Sequence, residues 1–272
     1  MFHLYALSDP TDVKFASDCE HDHDMICERC EDLREVLSDI QQHINNTVQM
    51  TKEELARLQF QYSNSFKAIL DWKGHILRTI NQEKAKQDIL GRISDRESCF
   101  IIMDWAMKFL PMVYREKMSD FFGKRGRSWH VSAIITAVSN GDFNVECLVH
   151  LFDSCKQDWY AVASILENTL RIVKQENGNV KNAYLKSDNA GCYHNAQLLS
   201  SVKDIGRRTG INILRYDFSD PQSGKDVCDR KLAHMKAHIR RFVNEHNDVT
   251  TASEMKMALE SYGGVKGCLM GE

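Results

Sequence analysis

Proline is scarce in this chain, with three among 272 residues. So few exclude long proline-rich spacers and argue against extended disordered linkers. Membrane-length apolar runs are missing too, since no stretch approaches the ~18 consecutive apolar residues of a spanning helix. The opening segment, Met1 to Pro10, has no basic region and too short an apolar run for a secretory signal. An excess of charge of either sign is also lacking, the formal net charge being −3. A nucleic-acid-binding surface must therefore be local rather than a property of the whole composition. Nine cysteines without a secretory signal point to reduced thiols or metal ligands rather than disulfides. These absences predict an intracellular protein with no membrane partner. The length holds one large or two modest domains and suffices to bury a core.

The most informative stretch present runs from Asn182 to Asn195: Asn-Ala-Tyr-Leu-Lys-Ser-Asp-Asn-Ala-Gly-Cys-Tyr-His-Asn. Its first half alternates and Gly191 breaks it, which predicts a short buried strand delivering Asp188 to its C-terminal tip, then a turn. In open α/β sheets, ligands and metals sit at such tips. Taken alone, Ser-Asp-Asn also describes a turn aspartate that hydrogen-bonds its own backbone. Two more segments carry acids that keep Asp188 company. The apolar run Cys99 to Ala106 carries Asp104 near its end, and Asp226 and Asp229 open a strongly periodic helix. Strand-tip and helix-start aspartates are the parts needed to hold Mg²⁺, a hard cation that takes oxygen ligands. Two such ions ~3.5–4 Å apart clamp the attacking and leaving oxygens of a phosphodiester displacement.

Nearer the N-terminus, Cys19, His21, His23, Cys27 and Cys30 gather five soft or borderline ligands. Cys27-x-x-Cys30 has the spacing of half a zinc site, and Cys19 with His21 or His23 supplies the other half. Four ligands close the site, so the expected zinc is structural. Leu33, Val36, Leu37, Ile40 and Ile44 follow at helical spacing, predicting an amphipathic helix from Glu31 to about Asn46. A second helical region runs from Thr51 to about Leu90 and starts on the capping-box pattern Thr51-Lys-Glu-Glu54. Gly74 is expected to bend or divide it.

From Cys99 the pattern turns to strands. A basic turn, Lys124-Arg-Gly-Arg127, precedes two runs, Trp129 to Val138 and Phe143 to Phe152, separated by Ser139-Asn-Gly-Asp142. That arrangement predicts an antiparallel hairpin. Helices are expected over Trp159 to Val173, Asn195 to Arg208 and Asp226 to Glu245, with a strand from Ile211 to Tyr216. The order βββαβαβα implies a mixed sheet with an initial hairpin and later α/β crossovers. The expected domains are residues 1–95, zinc-knuckle-like and helical, and residues 96–272, α/β.

That order, with acids after the first strand, after the fourth and on the last helix, resembles the RNase H-like fold of retroviral integrases and DDE/DDD transposases. Lys186-Ser-Asp188-Asn-Ala-Gly-Cys-Tyr193 looks like the integrase motif that bears the second acid. Pro221-Gln-Ser223, then Asp229-Arg230 and Lys236, looks like the integrase Pro-Gln-Ser…Glu-Arg…Lys arrangement. The chain is also similar to transposase-like open reading frames of animal genomes. The resemblance covers Cys99 to Glu245. Here the third acid is aspartate rather than glutamate and lies two residues further from Pro-Gln-Ser, which leaves Asp226 as a rival.

The resemblance implies a transposase- or integrase-like enzyme that cleaves and transfers DNA strands by two-metal phosphoryl transfer. Asp104, Asp188 and Asp229 would be catalytic and would bind Mg²⁺ or Mn²⁺, while Lys225, Arg230 and Lys236 would contact the substrate. It further implies DNA as partner, a possible homo-oligomer and a nuclear location. The alternatives are a catalytically inactive, domesticated DNA- or chromatin-associated protein and a zinc-nucleated protein–protein adaptor.

Overall fold

A run of alternating faces in Ser98–Trp105 (β1) places Cys99, Ile101 and Met103 on one side of a sheet and Phe100 and Ile102 on the other, all buried. The structure, a computed structural model, describes residues 28–46, 50–138, 141–220 and 227–271. The chain divides into two compact units, Met1–Lys84 and Ala85–Glu272.

In the first unit, α1 (Glu28–Asn46) and the greater part of α2 (Lys52–Arg92) are helical. Thr51 and Glu54 form the reciprocal pair that the capping-box pattern predicts: Glu54 accepts from the Thr51 amide at 2.9 Å, and the Glu54 amide donates to the Thr51 hydroxyl at 3.3 Å. Tyr62 donates to the Leu37 carbonyl at 3.0 Å, joining the two helices. Helix α2 continues through Gly74, which neither divides it nor ends it. A single glycine costs a helix only ~1 kcal/mol against alanine, too little to break one this long.

In the second unit, six strands form one mixed sheet. They are β1, β2 (Ser128–Ala137), β3 (Phe143–Phe152), β4 (Asn182–Asp188), β5 (Asn212–Ser219) and β6 (Cys268–Gly271), in the order β5-β4-β1-β2-β3-β6. The hairpin β2–β3 is antiparallel with His130 opposite His150, β1 is antiparallel to β2, and β1, β4 and β5 run parallel. Parallel neighbours need a crossover. These are α4 (Trp159–Glu176) between β3 and β4 and α5 (Ala196–Thr209) between β4 and β5. A one-turn helix α3 (Met118–Phe121) lies in the β1–β2 connection. Beyond the expected pattern, α6 (Val227–Asn244) is followed by α7 (Ala252–Glu260) and by β6, which adds a parallel edge beside β3.

Two apolar layers cover the sheet. Val162, Leu166 and Leu170 of α4 and Leu198 and Ile205 of α5 pack with Cys99, Ile101, Met103 and Leu185. On the opposite face Leu232, Met235 and Ile239 of α6 and Met255 and Leu259 of α7 pack with Phe100, Ile102, Trp129 and Tyr184. The caps that set these helices are local. Asp158 accepts from the Ala161 amide at 3.1 Å and Asn195 from the Leu198 amide at 2.9 Å. Gly210 ends α5 at φ 72°, a left-handed conformation in which a side chain would be strained.

Candidate active site

Asp104 is the seventh residue of β1 and Asp188 the last of β4. The two strands are parallel neighbours, with Ile102 level with Lys186. Carrying that one-to-one register two residues on brings Asp104 level with Asp188 at the sheet's C-terminal edge. Both then face the side that α6 covers, because alternation puts them with Ile102 and Tyr184. Asp104 and Asp188 are each half-buried, and Asp229, in the first turn of α6, is exposed.

Helix α6 reaches this edge through Cys228. Its thiol is buried and donates to the Ile102 carbonyl at 3.4 Å, two residues before Asp104. The buried stripe is Cys228, Leu232, Met235, Ile239 and Val243. The periodicity instead predicts a stripe of Asp229, Leu232, Lys236, Ile239 and Val243 with the acid at its sheet-facing end, and the structure corrects that reading. The thiol goes inside because burying a charged carboxylate or ammonium is far costlier. Asp229 therefore stands beside the buried stripe, and Lys236 is half-buried.

Electrostatics tie the three acids together. The Asp104 carboxyl is pushed up to about 7, first by burial and then by the charges of Asp188 and Asp229. Asp188 also performs the local task that its sequence allows, with one oxygen accepting from the Ala190 amide at 3.1 Å. The Cys192 thiol is held up by burial and by Asp188, which keeps it a neutral filler. Among the described residues, no three His, Cys, Asp or Glu side chains are gathered closely enough to hold a metal by themselves. Arg230 is exposed on α6. Lys225 and the rival Asp226 lie outside the described residues, as do Cys19, His21, His23 and Cys27, and the side chain of Cys30 is not described.

Behind the acids, on the other face of the same edge, lies a buried polar group that pattern reading missed. Trp105 meets His130 edge-on with ring centroids 5.0 Å apart, and His130 lies 6.3 Å from His150 and 6.2 Å from Tyr193. His150 Nε2 pairs with Asn168 Oδ1 at 3.0 Å. The Trp105 indole nitrogen, His130 Nε2, His150 Nδ1 and the Tyr193 hydroxyl have no hydrogen-bond partner among the described residues. Burial holds both imidazoles below the ordinary histidine range, and the nearby His150 adds to this at His130. Burial raises the Tyr193 hydroxyl, and the Asp104 charge raises it further. The register of the hairpin, with Ala137 opposite Phe143, is what brings His130 opposite His150.

With this architecture and edge established, the chain can be placed among known proteins. It belongs to the family described as Domain of unknown function (DUF8701), whose model matches residues 82–266. No curated protein sequence matches it. Among solved structures it is similar to the human cytomegalovirus terminase nuclease domain, Mn soaked and inhibitor bound, at 13% identity and a TM-score of 0.30. That match covers 55% of this chain and 62% of the other, so the chain spans less than two thirds of that domain. It is also similar to the Mos1 transposase paired-end complex with left transposon end, at 13% identity and a TM-score of 0.32 over 90% of this chain and 74% of that one. The Mos1 mariner paired end complex with Mn matches at 11% identity and a TM-score of 0.32, over 89% and 78% of the two chains. No helix among the described residues is long and apolar enough to cross a membrane.

Proposed function

We propose that the chain is an RNase H-like, metal-dependent polynucleotidyl transferase acting on DNA, with Asp104, Asp188 and Asp229 as the acids that bind divalent cations. The observation that carries this reading is the geometry of one sheet edge: Asp104 and Asp188 stand level on neighbouring parallel strands, and burial first, then the charges of Asp188 and Asp229, push the Asp104 carboxyl up to about 7. Like charges brought together from three separate segments are costly unless a cation belongs between them. The donor set suits Mg²⁺ or Mn²⁺, since carboxylate oxygens are hard ligands and Mg²⁺ completes its shell with water and substrate phosphate. That preference also accounts for a loose triad rather than a closed cage. Two such cations would activate the attacking oxygen and stabilise the leaving one. The protein's own part is positional. β1 and β4 fix two carboxylates level with each other, the Cys228 contact seats the third, and Lys236 and Arg230, with Lys225, neutralise the substrate phosphates. On this reading the partner is DNA, with a homo-oligomer and a nuclear location as further parts of the proposal.

One observation favours a second reading, a non-catalytic DNA-associated protein that keeps the fold. Asp229 is exposed and Asp188 already serves its own turn. Cleavage of supercoiled DNA and of candidate end sequences with Mg²⁺ or Mn²⁺ decides between them. The catalytic reading expects nicking that Asp188→Asn abolishes, together with calorimetric Mn²⁺ binding that Asp104→Asn and Asp188→Asn both weaken. No nicking and no acid-dependent Mn²⁺ binding would leave the second reading standing.

A further inference from the structure

The connection from β1 to β2 carries a feature that the acidic edge does not use. β2 starts where β1 ends, Trp105 being level with His130, so this connection rises from the same sheet edge to which Asp104 and Asp188 belong. It is pinned to the body rather than hanging free. Phe109 and Arg127 exchange backbone hydrogen bonds at 2.9 and 2.7 Å, Met112 and Val249 do so at 2.8 Å, and the Trp129 indole donates to the Met107 carbonyl at 2.7 Å. Between these anchors and the residues after β3 opens a pocket of about 570 Å³, walled mainly by Lys108, Lys124, Arg125, Arg127 and Asp153.

The charges in that wall do not cancel. Lys124 pairs with Glu116 and donates to the Pro111 carbonyl at 2.6 Å. Arg127 pairs with Asp153 at 3.1 Å, and Asp153 accepts from the Ala252 amide at 2.9 Å as well. The acids are thus spent on the two inner cations. Lys108 and Arg125 are exposed, and neither has an acidic partner among the described residues. Gly126 admits the Lys108 stem: a Cβ there would stand 2.6 Å from the Lys108 Cβ, so only glycine lets that stem lie against this turn. A lysine and an arginine fork, unspent and lining one pocket, suit a phosphate.

The same connection exposes apolar side chains that a water-facing loop does not need. Phe122 is 73% and Phe121 54% exposed, with Met118 at 81% and Met107 at 80%. The two phenylalanine rings meet edge-on at 5.7 Å and Lys124 lies over the Phe121 ring at 5.8 Å, which leaves Phe122 the more open of the pair. Unspent cations and exposed rings carried on one connection match how nucleic-acid strands are held without sequence readout: backbone on the charge, base on the ring.

We infer that the β1–β2 connection is a strand-binding element, in which Lys108 and Arg125 hold a backbone phosphate and Phe121 and Phe122 stack an unpaired base. The inference rests on the nucleic-acid reading above and adds to it a site away from the acids. It places the contact on a strand end or a distorted step, where a base is free to leave its partner.

The test is fluorescence anisotropy of the full chain with labelled single-stranded and duplex oligonucleotides, in EDTA, across a series of salt concentrations. Lys108→Ala with Arg125→Ala should weaken binding of both ligands by roughly tenfold or more at low salt and reduce the salt slope by about one for each cation removed. Phe121→Ala with Phe122→Ala should weaken single-strand binding roughly tenfold and duplex binding less. All four side chains are exposed, so thermal unfolding should be unchanged and serves as the folding control. Wild-type affinity and slope in the lysine–arginine variant overturn the inference. So does a phenylalanine variant that binds DNA normally but changes sedimentation, since the rings would then belong to a protein interface. Because no divalent ion is present, this pattern can hold where cleavage fails, which removes only the catalytic reading. Conversely, cleavage that needs Asp188 but survives in a normally binding lysine–arginine variant removes only this site.

Discussion

The Cys228 thiol lies 3.4 Å from the main-chain oxygen of Ile102, and this contact seats the first turn of α6 against β1 two residues before Asp104. Everything proposed for Asp229 depends on that seat. A thiol fits because it is small, apolar enough to bury and still able to give a weak hydrogen bond to a strand carbonyl.

Enlarging the seat should therefore displace Asp229. Cys228→Leu is expected to cost ~1–3 kcal/mol of stability through overpacking and to lower Mn²⁺ affinity and nicking more than Cys228→Ala does. Denaturant unfolding and calorimetry on both variants measure this. Equal metal binding in the two would detach the contact from the site.

The acidic edge predicts a pH dependence of the metal-free protein. Asp104 has a raised carboxyl in the fold, about 7 against an ordinary 3.8. The folded state thus holds a proton that the unfolded chain has released. Stability is unaffected below the unfolded value, declines as pH rises through that window, and carries the full penalty above about 7. Asp104→Asn should accordingly raise the melting temperature at pH 8 by roughly 2–4 °C for each kcal/mol relieved and have little effect near pH 4. Added Mn²⁺ should lift the wild type at pH 8 and not the variant. A variant no more stable than wild type at pH 8 would falsify the assignment of repulsion to this edge.

The buried imidazoles impose the opposite slope at lower pH. Burial holds His130 and His150 below the ordinary 6.5, so the fold takes up protons there less readily than the unfolded chain does. Stability should fall as pH drops through 6.5, and His130→Phe should flatten that fall if the cavity accepts the ring. Melting curves from pH 7 to 5 on wild type and variant test it. Because His130 stands behind Trp105, nicking at pH 8 should change much less than in Asp188→Asn.

The N-terminal cysteine–histidine cluster makes a prediction independent of the α/β unit. We expect one zinc per chain, bound by Cys19, Cys27, Cys30 and one of His21 or His23, because the ligand spacing leads at once into a helix that zinc would anchor. Elemental analysis of the purified chain should give about one zinc, absent from Cys27→Ser with Cys30→Ser. Zinc retained by that variant places the metal elsewhere.

Local pattern carried much of the architecture. The hairpin was legible because two alternating runs flank one turn, and the observed strands Ser128–Ala137 and Phe143–Phe152 lie within a residue of those runs. Asp188 at a strand tip was legible for a similar reason: an alternating run stops at Ser-Asp-Asn before a glycine. The capping box at Thr51 and the stop at Gly210 are chemistry of three or four adjacent residues. β6 and α7 were not read, because a four-residue strand has too few alternations to stand out and gains its partner, β3, only in the fold.

Sequence by itself thus determined the longer strands and most of the helices, the hairpin turn and which aspartates end up at element termini, since each depends on neighbours along the chain. Tertiary structure decided the rest. Nothing local says that β4 lies beside β1 rather than beside β3, and that choice alone makes Asp104 and Asp188 level. The rotation of α6 was equally undetermined. Stripes through Cys228 or Asp229 both satisfy helical spacing, and desolvation against the sheet selected the thiol. The unspent pair Lys108 and Arg125 is likewise a property of packing, because which cations in the β1–β2 connection keep a free charge depends on where Glu116 and Asp153 come to rest.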